Sequence, residues 1–409
     1  MKRLMKTLWI VSGGSEAVPG IMTARKMGLH VVVSDLNPHA PGFAVADDRI
    51  VVSTYDSEAT KEAARKYHRT VRPIDGVICI ASDVPLTVAS VADSLGLPGI
   101  SLETARLAMD KLAMKQRFVE SHIPVPWFSP VESPAHLQDL LNDCGFPLVL
   151  KPVDSRGARG VLKLSPDIDL VWAYHHALNF SPSGRIMAEE YLEGPQISTE
   201  SVLLEEGAYT PGFTDRNYEY LDRFAPYMIE NGGQQPSALP PAQQKAVARL
   251  AEDAGRSLGI QTGIAKGDMI LTEAGPKVIE IAARLSGGWF STDQIPLATG
   301  VDIVGAAIRL ALGEKVTKED LIPRCRKGVA IRYFFPEPGR VVEIRNHDRF
   351  ANTPWVHRLG FFVKPGDLIE PVSNHTQRAG FVITQGPTRD EAVDRAMEVT
   401  RTVRITTAE

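Results

Sequence analysis

Only three cysteines occur in the 409 residues, Cys79, Cys144 and Cys325. They are widely spaced and odd in number, which excludes a disulfide framework and the paired spacing of a zinc site. A reducing, cytoplasmic setting is expected. No charge sign dominates. The formal net charge is −4, and no basic domain or stripe is present to track a polyanion, so nucleic acid is not an expected partner. Long hydrophobic runs are missing too, and nothing approaches the length needed to span a bilayer. The start from Met1 to Lys6 is basic, but the apolar run Leu8 to Val11 stops at Ser12-Gly13-Gly14. That is too short for a signal-peptide core and reads as a first strand. There is no H-E-x-x-H pair, and the Ser12–Ser15 turn lacks the full spacing of a dinucleotide fingerprint, with Pro19 where a helix should be under way.

What is present is a chain long enough for two to four packed units. In the first hundred residues, β-branched runs at Leu8–Val11, Val31–Ser34, Ile50–Val52 and Val77–Ile80 alternate with helical signals. Ser82-Asp83 reads as an N-cap for a helix whose Val84, Val88, Val91 and Leu95 recur at helical spacing before Gly96. This alternation predicts a parallel sheet with helices on its faces. A second unit begins near Ser101, and its proline-broken stretch Ile123-Pro124-Val125-Pro126 reads as a hinge. Strands are expected at Pro147–Leu150, Arg185–Glu190, Ser198–Leu204, Ile264–Leu271 and Val278–Ala283. An apolar stripe through Val247, Leu250, Ala251, Ala254 and Leu258 predicts a helix opened by Pro240-Pro241 and closed at Gly259. From about Cys325, short strands at Val329–Phe335, Val341–Ile344, Phe361–Val363 and Gly380–Thr384 precede a helix over Arg389–Thr400, a small α+β unit.

Two segments carry chemistry. The strand ending at Lys151 runs into Ser155-Arg156-Gly157-Ala158-Arg159-Gly160. Glycines there allow backbone amides to approach an anion, and Lys151, Arg156 and Arg159 add positive charge. A solvated surface turn is the plain alternative, and no Gly-Lys-Ser/Thr follows to make it a Walker loop. The second segment is the strand pair Gly263–Leu271 and Val278–Gly288. Alternation puts Glu280, Ala282 and Arg284 on one face, with Ile279 and Ile281 on the other. A hairpin in register about Ala274 sets Asp268 opposite Glu280, with Cβ atoms about 5 Å apart. Two facing carboxylates repel unless a cation such as Mg²⁺ lies between them. Simple exposure of both acids to water is the alternative.

Taken in order, Asp110-Lys111 with Lys115, Ile123–Pro126, Lys151-Pro152 with its glycine loop, Glu189–Gly194 and Ile279–Gly288 resemble the ATP-grasp superfamily. The likeness is to its carboxylate–amine ligase branch, which includes L-amino acid ligases and is similar to biotin carboxylase and carbamoyl phosphate synthase. It implies three parts: a Rossmann-like pre-ATP-grasp domain with an open parallel sheet over 1–101, an ATP-grasp domain over 102–318 with a mobile lid at about 123–190, and a C-terminal α+β domain over 319–409. It further implies ATP and Mg²⁺, with Mn²⁺ as a substitute. Lys111 and Lys151 would hold phosphates, and the loop Ser155 to Gly160, with Arg156 and Gly157, would cover them. Glu189 would accept the adenine amino group, the backbone at Leu192 would pair with the ring, and Gln196 would meet the ribose. Asp268 and Glu280 would ligate the metal. Arg284 would grip the substrate carboxylate and the developing oxyanion, and Arg216 falls where relatives carry a phosphate-binding lysine.

The chain departs from the family pattern at Gln196 and Ala282, where glutamate and asparagine are common, and at Gly233, where a histidine is common. Ala282 leaves one oxygen fewer for a second metal. The implied activity is amide or peptide bond formation through an acyl phosphate, releasing ADP and phosphate. The substrates would be a small carboxylate and an amine, an amino acid among them, and a homodimer is compatible with the resemblance. The alternatives are an ATP-grasp carboxylase or phosphoryl-transfer enzyme, or a nucleotide-binding protein without turnover. His175-His176 reads as a helical pair without a metal role, and Arg378, with Gly380, as a structural pairing residue, a reach into the active site being the alternative.

Overall fold

The computed structural model describes residues 5–408. Most of the basic start at Met1–Lys6 therefore lies outside the described residues. Four strands form the N-terminal sheet, in the order Asp48–Val51, His30–Asp35, Thr7–Val11, Gly76–Cys79, and all neighbours run parallel. The two inner strands are buried along nearly their whole length because helices cover both faces, which is why they read as continuous β-branched runs. The chain winds outward from Thr7–Val11 in one direction and then returns to its other side at Gly76–Cys79. A crevice results at the carboxyl ends of these two strands, where open parallel sheets receive ligands. Asp35, at the end of the strand His30–Asp35, is engaged with the turns beside it. Its oxygens accept the Gly13 N–H at 2.8 Å and the Asn37 N–H at 2.9 Å.

One capping expectation is corrected. The helix starts at Pro85, and its N-cap is Val84, with no side-chain cap. Asp83 is thereby left free to reach across the chain to Arg284. The helix ends as expected, with Gly96 left-handed at φ +64°.

A separate four-stranded sheet, ordered Phe128–Val131, Ile186–Glu190, Leu148–Pro152, Leu162–Lys163, packs against helices Pro134–Cys144 and Leu170–Asn179. It has its own core, built around Leu137, Leu150, Leu162 and Ile186. Its helices are capped by Ser133 and Asp169, which accept backbone N–H groups.

The largest sheet has eight antiparallel strands in the order Gly275–Ala282, Gly263–Thr272, Gln196–Leu204, Gly207–Arg216, Gly233–Gln235, Gly328–Phe334, Gly380–Gly386, Val356–Phe361. The strands after Cys325 divide between two sheets. Three of them extend the central sheet through the pairing of Gly233–Gln235 with Gly328–Phe334, so one surface runs continuously from the acid-bearing hairpin to the C-terminal part. A smaller sheet of Gly339–Arg345, Leu368–Ile369 and Arg404–Ala408 lies beside it. The expected stripe forms helix Pro241–Ser257, whose Val247, Leu250, Ala251 and Ala254 are buried against Leu203, Ala265, Val278 and Ile281. Burying four such aliphatic faces contributes on the order of several kcal/mol and fixes the back of the sheet, leaving its front for the site. Among the described residues no helix is long and apolar enough to cross a membrane.

Candidate active site

The front of the central sheet, the four-stranded sheet and the carboxyl edge of the N-terminal sheet enclose a cleft of about 650 Å³. Of the residues singled out from the sequence, Lys111, Lys151, Ser155, Arg156, Gly157, Glu189, Leu192, Gln196, Arg216, Asp268, Glu280 and Arg284 all line it. Gly160 does not. A Cβ there would meet Pro152 Cγ at 2.9 Å and Phe180 Cβ at 3.0 Å, so Gly160 seats the loop and does not face the ligand space.

At the inner end, Lys151 ends its strand beside Glu189 on the neighbouring strand, and their side chains pair. The second Glu189 oxygen lies 2.9 Å from Lys115 Nζ. All three groups are buried, with exposures of 4%, 3% and 0% for Lys151, Glu189 and Lys115. Burial alone would push the Glu189 carboxyl up, but the two lysines hold it below its ordinary value. Burial also brings the Lys115 ammonium down to about 8, against the raising effect of Glu189. Glu189 therefore meets two cations with its two oxygens, and the adenine contact implied for it must share them. Lys115 follows Lys111 by one helical turn on Lys111–Glu120; Lys111 lines the cleft, and Lys115 lies buried behind it against Glu189. Lys111 Nζ donates to the Ser155 carbonyl at 2.7 Å and lies 3.6 Å from Glu280, tying the glycine loop to the hairpin.

The hairpin brings Asp268 and Glu280 directly opposite each other, by a route that differs from the expected one. The turn has two residues, Glu273 and Ala274, between the paired Thr272 and Gly275, and a bulge at Ile279 then restores the pairing of Asp268 with Glu280. The bulge also reverses the facing of Ile279, which was expected on the far side; it lines the cleft beside Glu280. Asp268 bonds Lys266, accepts Ser198 Oγ at 2.7 Å and lies 3.1 Å from Arg216. Burial raises its carboxyl, but Lys266 and Arg216 outweigh this and leave it far below the usual carboxylate range. Arg216 also grips Glu230 through Nε at 2.9 Å and Nη2 at 2.6 Å.

The donor set fits a magnesium ion. Two carboxylates face each other in the cleft, and Mg²⁺ characteristically takes one or two of them along with phosphate oxygens and water. No group of three or more His, Cys, Asp or Glu side chains forms a metal cage among the described residues. Lys266 pairs across the strands from Ala282, so an ammonium sits beside the position where the family's extra oxygen is absent.

Arg284 lies at the junction with the N-terminal sheet. Its Nε is 3.4 Å from Asp83, and its Nη1 donates to the Leu285 carbonyl at 3.1 Å. Gly287 and Gly288 follow, the first where Glu16 packs close and the second in the left-handed region at φ +62°. A Cβ on Gly287 would stand 2.6 Å from Glu16 Oε2, the same oxygen that accepts the Gly288 N–H at 2.7 Å. Gly233 is also a packing requirement, since a Cβ there would lie 2.9 Å from both the Asp215 carbonyl and Thr214 Oγ1. The histidine common at that position has no room on this backbone.

The glycine loop is held from two sides. The Arg156 guanidinium stacks 4.2 Å from the Tyr55 ring centroid, and the Gly157 carbonyl accepts the His375 N–H at 3.0 Å. Arg378 is both structural and cleft-lining. It donates to the Glu230 carbonyl at 2.6 Å and lies 3.7 Å over the Tyr333 ring. His175 and His176 lie on the helix of the four-stranded unit, where His176 stacks on Trp172. Sequence reasoning gave no role to Lys115, Lys266, Glu230 or Glu16. The spacing of Lys111 and Lys115 was the one available signal for the first.

Comparison with known proteins bears on the fold and the family. Residues 21–99 match the ATP-grasp N-terminal domain, 108–288 the ATP-grasp domain, and 332–408 the L-amino acid ligase C-terminal domain 2. An uncharacterized protein, y4rH, of Sinorhizobium fredii is 26% identical over 92% of this chain and 78% of its own length. Human carnosine synthase 1 is 25% identical over 75% of this chain, which spans only 40% of that protein. The crystal structure of L-amino acid ligase from Bacillus licheniformis superposes over the whole of both chains with a TM-score of 0.82 at 20% identity, a likeness of fold. With three consecutive domain matches and this architecture, the chain belongs to the ATP-grasp family of ATP-dependent ligases.

Proposed function

We propose that this chain is an ATP-dependent carboxylate–amine ligase, joining a small carboxylic acid to an amine through an acyl phosphate. The observation that carries the reading is the pairing of Asp268 with Glu280 in a cleft that also gathers Lys111, Lys151, Arg156, Arg216 and Arg284. Facing acids ringed by cations suit a metal-bound polyphosphate, and positioning with charge stabilisation is most of what phosphoryl transfer requires.

In this reading Lys111 and Lys151 bind the phosphates of ATP, and Glu189 with Lys115 keeps the Lys151 ammonium fixed out of water. Asp268 and Glu280 would hold Mg²⁺, which supplies charge neutralisation at the phosphate oxygens when bound. A single ion is favoured, because Lys266 supplies a cation beside Ala282. Arg284, anchored by Asp83, orients the substrate carboxylate toward the terminal phosphate and steadies the oxyanion that forms when the amine attacks. The glycine loop, clamped by Tyr55 and His375, excludes water that would hydrolyse the acyl phosphate. Attack by the amine forms the C–N bond and expels phosphate, leaving ADP.

The test is a screen of acids and amines with the full chain, Mg²⁺ and ATP, scored by phosphate release and by amide formed. A ligase releases one phosphate per amide and needs both substrates. Phosphate release that is indifferent to the amine, or a phosphorylated product with no amide, would refute the proposal.

A further inference from the structure

Seven carboxylates line the cleft, and six have a cationic side chain at salt-bridge distance. Lys115 and Lys151 serve Glu189, Lys277 serves Glu190, and Arg216 and Arg378 serve Glu230. Lys266 and Arg216 serve Asp268, Lys111 serves Glu280, and Arg284 serves Asp83. Glu16 is the exception. Its one hydrogen bond is from the Gly288 N–H to Oε2, and no lysine, arginine or histidine reaches it among the described residues.

Glu16 also stands where two cavities meet. A second hollow of about 330 Å³ opens beyond the carboxyl ends of Thr7–Val11 and Gly76–Cys79, the crevice of the N-terminal sheet, and is lined by Ser12, Ser15, Ala81, Ser82 and Phe362. Glu16, Ala81, Ser82 and Phe362 line both hollows, so this seam joins them. Phe362 is 47% exposed, offering a ring face at the seam.

We infer that the second hollow is the entry and binding site of the amine substrate, and that Glu16 receives its ammonium while Phe362 packs on its side group. The inference rests on the ligase reading. Of the three reactants, ATP and the acid are anions matched by the lysines and by Arg284, and an amine is the one that arrives in water as a cation. With the other six acids already engaged by lysine or arginine, an incoming cation finds its free contact beside the one acid that the protein has left without a salt-bridge partner. Burying a carboxylate without such a partner is unfavourable, and a ligand ammonium removes that penalty. The burial of Glu16 raises its carboxyl, an effect that the Gly288 N–H, Arg378 and Arg284 offset only in part. The Gly288 N–H that Glu16 accepts lies four residues after Arg284 in the chain, and both side chains line the same cleft, so an amine held there is delivered toward the activated carboxyl. The substrate class is a primary ammonium compound with an apolar or aromatic group.

The experiment is calorimetric titration of the full chain, with and without a non-hydrolysable ATP analogue, using phenylalanine amide and its N-acetyl derivative as probes. Phenylalanine amide is expected to bind and the uncharged N-acetyl form is not. Glu16→Gln, which keeps an oxygen for the Gly288 N–H, should weaken phenylalanine amide by at least about tenfold and leave affinity for the ATP analogue unchanged. Phe362→Ala, at a half-exposed ring that stacks on the edge of the Trp289–Phe381 cluster, should weaken it by a few-fold at about the level of one lost aromatic contact, and supplies a second readout should Glu16→Gln fold poorly. Equal binding of the two probes, no binding of either, or binding unaffected by both substitutions overturns the inference. Because binding is read without turnover, a chain that holds phenylalanine amide through Glu16 but releases no phosphate with any acid would refute the ligase reading and leave the ammonium site intact.

Discussion

The two ends of the cleft solve the problem of holding charge in opposite ways. At the inner end one carboxylate, Glu189, faces two lysines, and all three groups are withdrawn from water. At the hairpin end Lys266, Asp268, Arg216 and Glu230 form a chain of alternating sign whose side chains keep 15 to 18% exposure. The inner triad carries a net positive charge, and Glu189 is the single acid serving both lysines, so it forms a fixed anion site that depends on that one carboxylate. The hairpin chain is redundant, since Asp268 touches two cations and Arg216 two acids. Burial without redundancy makes a rigid binding post. Partial exposure with redundancy makes a site whose charges can be rearranged when a ligand arrives.

Removing Glu189 should produce the largest structural effect. Glu189→Ala leaves two buried ammonium groups without a counter-ion and is expected to lower stability by about 3 to 5 kcal/mol in denaturant unfolding. Asp268→Asn, by contrast, leaves a polar side chain beside an Arg216 that keeps Glu230 and a Lys266 that retains some contact with water, and should lower stability by about 1 kcal/mol or less. Equal losses would erase the distinction between the two ends. Next comes Lys151→Ala, where Glu189 retains Lys115 and the chain should still fold. Phosphate release is expected to fall by about a hundredfold or more, as for loss of a charge-stabilising donor, and near-normal turnover would separate Lys151 from the reaction.

A pH titration of stability gives a smaller and more particular signature. The Lys115 ammonium is lowered to about 8 from its ordinary 10.5. Between those values the unfolded chain keeps a proton that the folded chain has lost, so this group makes stability rise with pH over that window. Substituting Lys115→Met should remove the rise. On the acid side, Glu189, Asp268 and Glu230 are all held below their ordinary values. Their stabilisation is full above the ordinary carboxylate range and is lost as pH falls through the lowered values. The smallest effect expected is that of Arg156→Ala. It deletes a cation–π contact of about 0.5 to 1 kcal/mol along with one positive charge over the phosphates, and should raise the KM for ATP by a few-fold with little change in melting temperature.

The parts of the fold that the sequence made legible are those whose pattern is local. Thr7–Val11 and His30–Asp35 read as strands because burial on both faces selects β-branched residues in a row. Helix Pro241–Ser257 was legible in its stripe and its proline start. The strand Gly207–Arg216 was missed because Pro211-Gly212 interrupts it and its register shifts between Tyr209 and Gly212. The joining of Gly328–Phe334 to the central sheet depends on Gly233–Gln235, nearly a hundred residues away, and no local pattern announces such a pairing. In the site, the facing of Asp268 and Glu280 was legible from alternation, although a shorter turn and the Ile279 bulge produce it together. Lys115 and Glu16 were not legible as site residues. Lys115 looks like a solvated helix lysine until the strand Ile186–Glu190 packs over it, and Glu16 becomes distinctive only when every other acid in the cleft has found its cation.

The central claim is most directly tested by a crystal structure of the chain with Mg²⁺ and a non-hydrolysable ATP analogue. The account predicts one ion coordinated by both Asp268 and Glu280 at about 2.0 to 2.1 Å, with the phosphates against Lys111 and Lys151. Nucleotide bound with neither acid on the ion, or with its phosphates away from both lysines, would contradict it.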